Sequence, residues 1–205
     1  MLRKKDGLTL IELLVALAAS AILTAGVYQT FISQQKTYTV QDQVVDTQQN
    51  VRVALDRMTR EIRMAGYRKD LLASAGSIGG YTEVITPVNS ANHVGTSDDQ
   101  ITVIIYDKAI TYSLQWDAAE PNKPVLVRSE SGGGGEVLAD NIENLQIKYT
   151  LSNGTVTDLP VLPESIRMVT VRVMARTRLT DPQLSGDGYR RRELSSYTMV
   201  RNMGL

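Results

Sequence analysis

Residues 8–33 read LTLIELLVALAASAILTAGVYQTFIS, with Glu12 as the sole charged side chain. A helix crosses a bilayer with ~20 apolar residues, so this run is long enough to span one. Beyond it Val40, Val44, Val51, Leu55, Met58, Ile62 and Ala65 recur at spacings of four, seven, four, three, four and three, which line one face of a helix. Asp42, Asp46, Asp56, Arg57, Arg60, Glu61 and Arg63 fall on the other face, with Asp56–Arg60 and Arg57–Glu61 as opposite-charge pairs one turn apart. No proline interrupts before Pro87, and Gly66 is a natural stop. The pattern predicts one helix over 8–65, ~87 Å long at 1.5 Å per residue. Its first half is apolar nearly all round. Its second half is amphipathic and is expected to pack on the chain's own head. Gly26 is the expected flexible point.

After Gly66 the apolar period changes from helical to alternating. Strands are predicted over 82–88, 100–106, 109–115, 124–130, 145–151, 166–178 and 194–202, bounded by Gly, Pro, Asn and Asp clusters. The run 101–106 is apolar enough for a central strand. In the strand from 166, Val169, Val171, Val173 and Ala175 face one way, and Arg172, Arg176 and Arg178 the other. Asn153-Gly154 signals a hairpin. The predicted fold class is α+β, a long N-terminal helix laid across a predominantly antiparallel sheet. Its parts are a leader over 1–7, a transmembrane half-helix over 8–33, an amphipathic half over 34–66 and a β-rich head over 67–205.

Charge and composition narrow the chemistry. Lys+Arg and Asp+Glu each total 22, so net charge names no partner. Residues 1–66 carry eight basic and six acidic groups, 67–162 six and twelve, and 163–205 eight and four. An acidic middle and a basic end suit contacts between subunits. The absence of cysteine excludes disulfides, zinc–thiolate sites and thiol nucleophiles. The single histidine, His93, sits in a polar stretch and reads as a solvated loop residue, not as the base of a triad.

Arg3, Lys4, Lys5, Asp6 and Gly7 precede the apolar run. Short basic flanks stay cytoplasmic, which sends the bulk of the chain across the membrane. A cleaved secretory signal is one reading, with candidate sites at 16–18 and 19–21, but the apolar run continues past both. A plain signal-anchor is another, and it explains everything except Glu12. A carboxylate at mid-bilayer costs ~2.5–3.5 kcal/mol on insertion scales, less near an interface, and usually has a partner.

The basic leader, Gly7, a hydrophobic first residue and the run Thr9-Leu10-Ile11-Glu12-Leu13-Leu14-Val15-Ala16 resemble the prepilin processing motif of type IV pilins and type II secretion pseudopilins. The resemblance implies that a membrane prepilin peptidase cuts after Gly7 and that Leu8, where family members usually carry Phe, is then N-methylated. It further implies that Glu12 neutralises a subunit's N-terminal amine during docking and fixes register. Arg60 to Tyr67, and Arg191-Arg192-Glu193-Leu194 running to Val200-Arg201-Asn202, resemble the PilW-type minor pilins, and the J-type minor pseudopilins in the same places. A minor pilin is the leading reading, a J-type pseudopilin the alternative, and a membrane-anchored binding or sensor domain the alternative of another class. The resemblance implies as partners prepilin peptidase, other minor pilins, the major pilin and the inner-membrane assembly platform. It places the chain as a single-pass inner-membrane protein with a periplasmic head, later part of the pilus.

Other constellations add little. Ser131 to Glu136 is glycine-rich without a following Lys-Ser/Thr, so it reads as a hairpin connection and not a phosphate loop. Asp98-Asp99 and the stretch from Asp181 to Asp187 offer oxygen ligands for calcium without EF-hand spacing, and turn chemistry explains both. Arg190-Arg191-Arg192 with Arg172, Arg176 and Arg178 offers a basic surface, read as solvated or subunit-facing and not as a nucleic-acid site, because stacking aromatics are few. No local acid–base pair, nucleophile or metal set argues for an enzyme or a cofactor.

Overall fold

The computed structural model describes residues 9–88, 99–116, 123–181 and 183–203. Helix α1 runs unbroken over Leu10–Met64, 55 residues, and Gly26 does not interrupt it. Hydroxyls in its apolar stretch bond back into the helix: Ser20 Oγ donates to the Leu17 carbonyl at 2.9 Å, Thr24 Oγ1 to Ser20 at 2.7 Å and Thr30 Oγ1 to Gly26 at 3.0 Å. A hydroxyl without a partner in an apolar medium is costly, and these have one within their own helix.

The chain divides into two compact units, residues 1–42 and 43–205. The first is the N-terminal stretch of α1, whose large apolar side chains, Leu10, Leu14, Ile22 and Phe31 among them, are exposed. The second holds the remainder of α1 and the head. Its described residues contain α2 (Lys69–Ala75) and nine strands: β1 (Ile85–Val88), β2 (Gln100–Ile105), β3 (Lys108–Trp116), β4 (Pro124–Glu130), β5 (Gly135–Asp140), β6 (Ile142–Leu151), β7 (Val156–Thr157), β8 (Ile166–Arg176) and β9 (Arg191–Met199).

The sequence pattern predicts one sheet, but the strands form two, both antiparallel throughout. Strands β1 to β5 lie side by side in chain order, and the second sheet runs β7-β6-β8-β9. The break falls at Asn141, whose φ of 59° turns the chain out of one sheet into the next. Asparagine adopts this left-handed conformation more readily than most residues. The strand predicted over 166–178 ends at Arg176, so Arg178 does not extend the outward row. β5, β7 and α2 are additions to the predicted elements.

A main core joins α1 to both sheets of the second unit. Val51, Leu55, Met58 and Ile62 of α1 pack in the same cluster as Ile101, Tyr112 and Leu126 of the first sheet and Leu145, Ile147 and Val171 of the second. The predicted apolar stripe is therefore the buried one from Val51 onward. A smaller cluster places Leu72 of α2 with Ile104 and Ala109 on the other face of the first sheet, so β2 is buried on both sides as a central strand.

Candidate functional site

The N-terminus of α1 is closed by its own side chains. The Glu12 backbone N–H donates to Thr9 Oγ1 at 3.3 Å, and Glu12 Oε2 accepts from the Thr9 backbone N–H at 3.3 Å and from Thr9 Oγ1 at 3.2 Å. This reciprocal arrangement is a capping box. A negative charge in the first helical turn also meets the positive end of the helix dipole. Glu12 thus has a structural reason to stand at this spacing, in addition to the docking role the resemblance implies. The signal for it, Thr-x-x-Glu at the head of an apolar run, is plain in the sequence. Glu12 Oε1 meets no described residue, so the carboxylate retains acceptor capacity for an outside cation. Gly7 and Leu8 lie outside the described residues.

The two segments that resemble PilW-type minor pilins meet in space. Asn202 Nδ2 donates to the Met64 and Ala65 carbonyls, both at 3.3 Å, at the end of α1, where the Met64 carbonyl also accepts from the Tyr67 N–H at 3.0 Å. Arg63 Nε donates to Thr198 Oγ1 at 3.3 Å. Gly66 has φ +78°, and a Cβ there would lie 3.1 Å from the Asn202 carbonyl oxygen. A glycine is required by both its conformation and its neighbours. In this chain the two places are joined by the closure of the helix end by the C-terminus.

Glu61 was expected on the solvent face of α1, but its side chain is only 16% exposed. Its carboxylate joins helix to sheet. Tyr112 donates its hydroxyl to Oε2, Arg128 Nε reaches both oxygens at 3.2 and 3.1 Å, and Arg57 Nε donates to Oε1 at 2.9 Å. Arg128 also reaches Glu130 at 3.3 Å, and Glu130 takes Lys108 Nζ at 2.5 Å. Burial, the largest effect, pushes the Glu61 carboxyl up, but the bonds from Tyr112, Arg128 and Arg57 outweigh it and hold the group below its ordinary range. Burial and the Glu61 charge push the Tyr112 hydroxyl well above its ordinary value. No spacing rule links residues 61, 112 and 128, so sequence reasoning could not reach this cluster. The expected pair Arg60–Asp56 forms at 2.7 Å and stays exposed.

The basic residues near the C-terminus do not form a bare cationic surface. Arg176 Nη1 and Arg191 Nε meet Glu143 at 3.2 and 2.6 Å, Arg172 meets Glu193 at 3.3 Å, and the Arg176 guanidinium lies 4.3 Å over the Tyr189 ring. Asp181 accepts from the Gln183 backbone and from Arg190 at 3.0 and 2.7 Å, and these bonds hold it below its ordinary range. Asp187 is held down to about 2, first by Arg191 and then by the Tyr189 backbone N–H. Both carboxylates that suggested calcium are engaged by guanidinium groups in a lattice that ties down the connection between β8 and β9.

Asp98 and His93 lie outside the described residues. Asp99 links the two sheets: its backbone N–H donates to the Leu145 carbonyl at 2.9 Å, and its carboxylate accepts from the Ile147 N–H at 2.6 Å. The glycine-rich stretch after β4 connects it to β5 as a hairpin, with Ser129 opposite Gly135. Asn153-Gly154 turns between β6 and β7 with Gly154 at φ +83°. Among the described residues no three His, Cys, Asp or Glu side chains are grouped to hold a metal.

Residues 2–28 match the family model of the prokaryotic N-terminal methylation motif. The N-terminus is therefore a prepilin-type methylation segment, which implies processing by prepilin peptidase and association with a membrane. Among solved structures the chain is similar to a type IV-like pilin from Thermus thermophilus, at 14% identity over 77% of this chain and 96% of that one, with a TM-score of 0.46. No curated protein matches the chain.

Proposed function

We propose that this chain is a minor pilin of a type IV pilus, a structural subunit and not an enzyme. Its prepilin is held in the inner membrane by residues 8–33, cut after Gly7 and N-methylated on Leu8. The head, in the periplasm, then enters a filament with the major pilin and other minor pilins at the assembly platform. The observation that carries the reading is the methylation motif over residues 2–28, set on a helix whose apolar stretch is unburied in the folded chain. A chain that exposes so much apolar surface on one helix needs a lipid or protein surround, and a filament core provides the second after a membrane has provided the first.

Within this reading Glu12 has two roles in sequence. It caps α1 through Thr9, and in the assembled state its open oxygen receives the amine of a methylated N-terminus. Opposite charges in a low-dielectric bundle stabilise each other's ionised forms and set axial register. Mass spectrometry of the N-terminal peptide from native membranes tests the processing step. N-methyl-Leu8 is expected, and a retained Met1 or Leu2 overturns the reading. Deletion is expected to abolish surface filaments; loss of exoprotein release with filaments intact would point to the type II secretion pseudopilin instead.

A further inference from the structure

Two sheets have four edges, and three of them are short or interrupted. β1 has four residues and contains Pro87, β7 has two residues, and β5 has six, opens on Gly135 and pairs with β4 through a register shift at Leu126/Val127. Proteins blunt exposed edges in these ways because a row of free N–H and C=O groups is a template for another strand. β9 lacks these devices. It has nine residues, contains no proline and pairs with β8 without a shift.

The direction of its backbone groups follows from two bonds at its ends. The Thr177 N–H donates to the Arg190 carbonyl at 2.8 Å, and the Val200 N–H donates to the Arg167 carbonyl at 3.0 Å. In an antiparallel ladder every second residue bonds to a given neighbour. The even-numbered residues of β9 therefore bond to β8, while Arg191, Glu193, Ser195, Tyr197 and Met199 turn their N–H and C=O groups to the open edge. Among the described residues no backbone group meets those five. Their side chains are exposed, Tyr197 at 71% and Met199 at 69%. Arg192, at the start of the strand, is exposed and makes no ion pair with a described residue.

We propose that β9 is a strand-addition site, which takes an extended segment of a different subunit as the fifth strand of the second sheet. The segment runs antiparallel, with an acidic residue near Arg192 and apolar side chains beside Tyr197 and Met199. A second copy of this chain fits less well. Laid antiparallel over its whole length, another β9 sets Arg192 against Thr198 and supplies no carboxylate there. Main-chain bonds give such a contact its affinity, and the charge and the apolar pair give it its partner. The inference rests on the reading of the chain as an assembly subunit.

Residue-resolved hydrogen exchange tests it on the full-length chain, purified in detergent and, separately, in native membranes carrying the assembly. The amides of Glu193, Ser195 and Tyr197 are expected to exchange roughly ten-fold or more slower in the assembly, with Leu194 and Ser196 protected in both states. Ser195→Pro removes an outward N–H and no bond to β8, so the head melts at nearly its usual temperature while protection of Tyr197 is lost. Ser195→Ala keeps that protection. Equal exchange in both preparations overturns the proposal, as does protection in Ser195→Pro equal to that in Ser195→Ala. Protection already present in the purified chain, with the mass of a dimer, assigns the edge to a second copy and also overturns it. N-methyl-Leu8 measured on the same membranes separates failure at this edge from failure of the pilin reading.

Discussion

The two stretches of α1 use one backbone geometry for opposite ends. Before Asp42 the helix carries its large apolar side chains on the outside; from Val51 onward it buries Val51, Leu55, Met58 and Ile62 within the head. Side chains in the first stretch contribute nothing to the folded head and depend on what surrounds them. Those in the second are the head's own core. Helicity is common to both, so the difference teaches that the destination of a helix is written in the width of its apolar surface.

The largest effect that sharpens this contrast comes from truncating one apolar side chain in each stretch. Met58→Ala, at a fully buried site, is expected to destabilise the head by about 2–5 kcal/mol in urea unfolding of the detergent-solubilised chain. Leu17→Ala, at an exposed site, leaves that transition in place. Next in size is Glu61→Ala, which takes the carboxylate partner from Arg128 and Tyr112 in buried surroundings. It is expected to cost about 3 kcal/mol in the same measurement. Substituting Arg52, exposed on the same stretch of helix, makes the control and should change little.

A pH profile probes the same cluster more gently. The Glu61 carboxyl lies below its ordinary value of 4.5 in the folded head, so its stabilisation is full above that pH and is lost as pH falls through the folded value. Tyr112 is raised above its ordinary value of 10.0, so its contribution is full below pH 10 and is lost as pH rises through the folded value. Thermal unfolding followed by near-ultraviolet circular dichroism should show a plateau between these limits, and Glu61→Gln should flatten its acid side. The smallest effect is at the other end of the helix. Thr9→Ala removes the cap at about 1 kcal/mol of local helix stability and leaves the head's melting unchanged. Amide exchange of the first turn in detergent reads that fraying.

Much of this architecture is legible in the chain because its causes are local. The spacing of Val51, Leu55, Met58 and Ile62 marks the buried face, and alternation in Val169, Val171 and Val173 marks β8. Where signals are short or mixed the reading fails. β5 begins inside a glycine run and exposes its first three residues in a row, so it carries no alternation. β7 is two residues long, and the Leu71-Leu72 pair of α2 is too brief for a helical period. The division into two sheets depends on one left-handed asparagine. In the candidate site, Thr9–Glu12 was available from spacing alone, whereas Glu61 meets Tyr112 and Arg128 only because the strands that carry them fold back onto α1. The lattice around Glu143 is legible only as an excess of arginine near the C-terminus, and its compensating carboxylates come from other parts of the chain.

The strict chain order of the first sheet also bears on how the head comes to exist. Each of β2 to β5 pairs with the strand made just before it, so each pairing closes a short loop and its entropic cost is small. The second sheet must wait, since β6 pairs with β8 across β7 and β9 comes last. A chain that folds in order from its N-terminus can complete the first sheet against α1 before residues beyond 140 take part. The C-terminus then arrives as the closing piece, with Asn202 sealing the end of a helix laid down near the start of the journey.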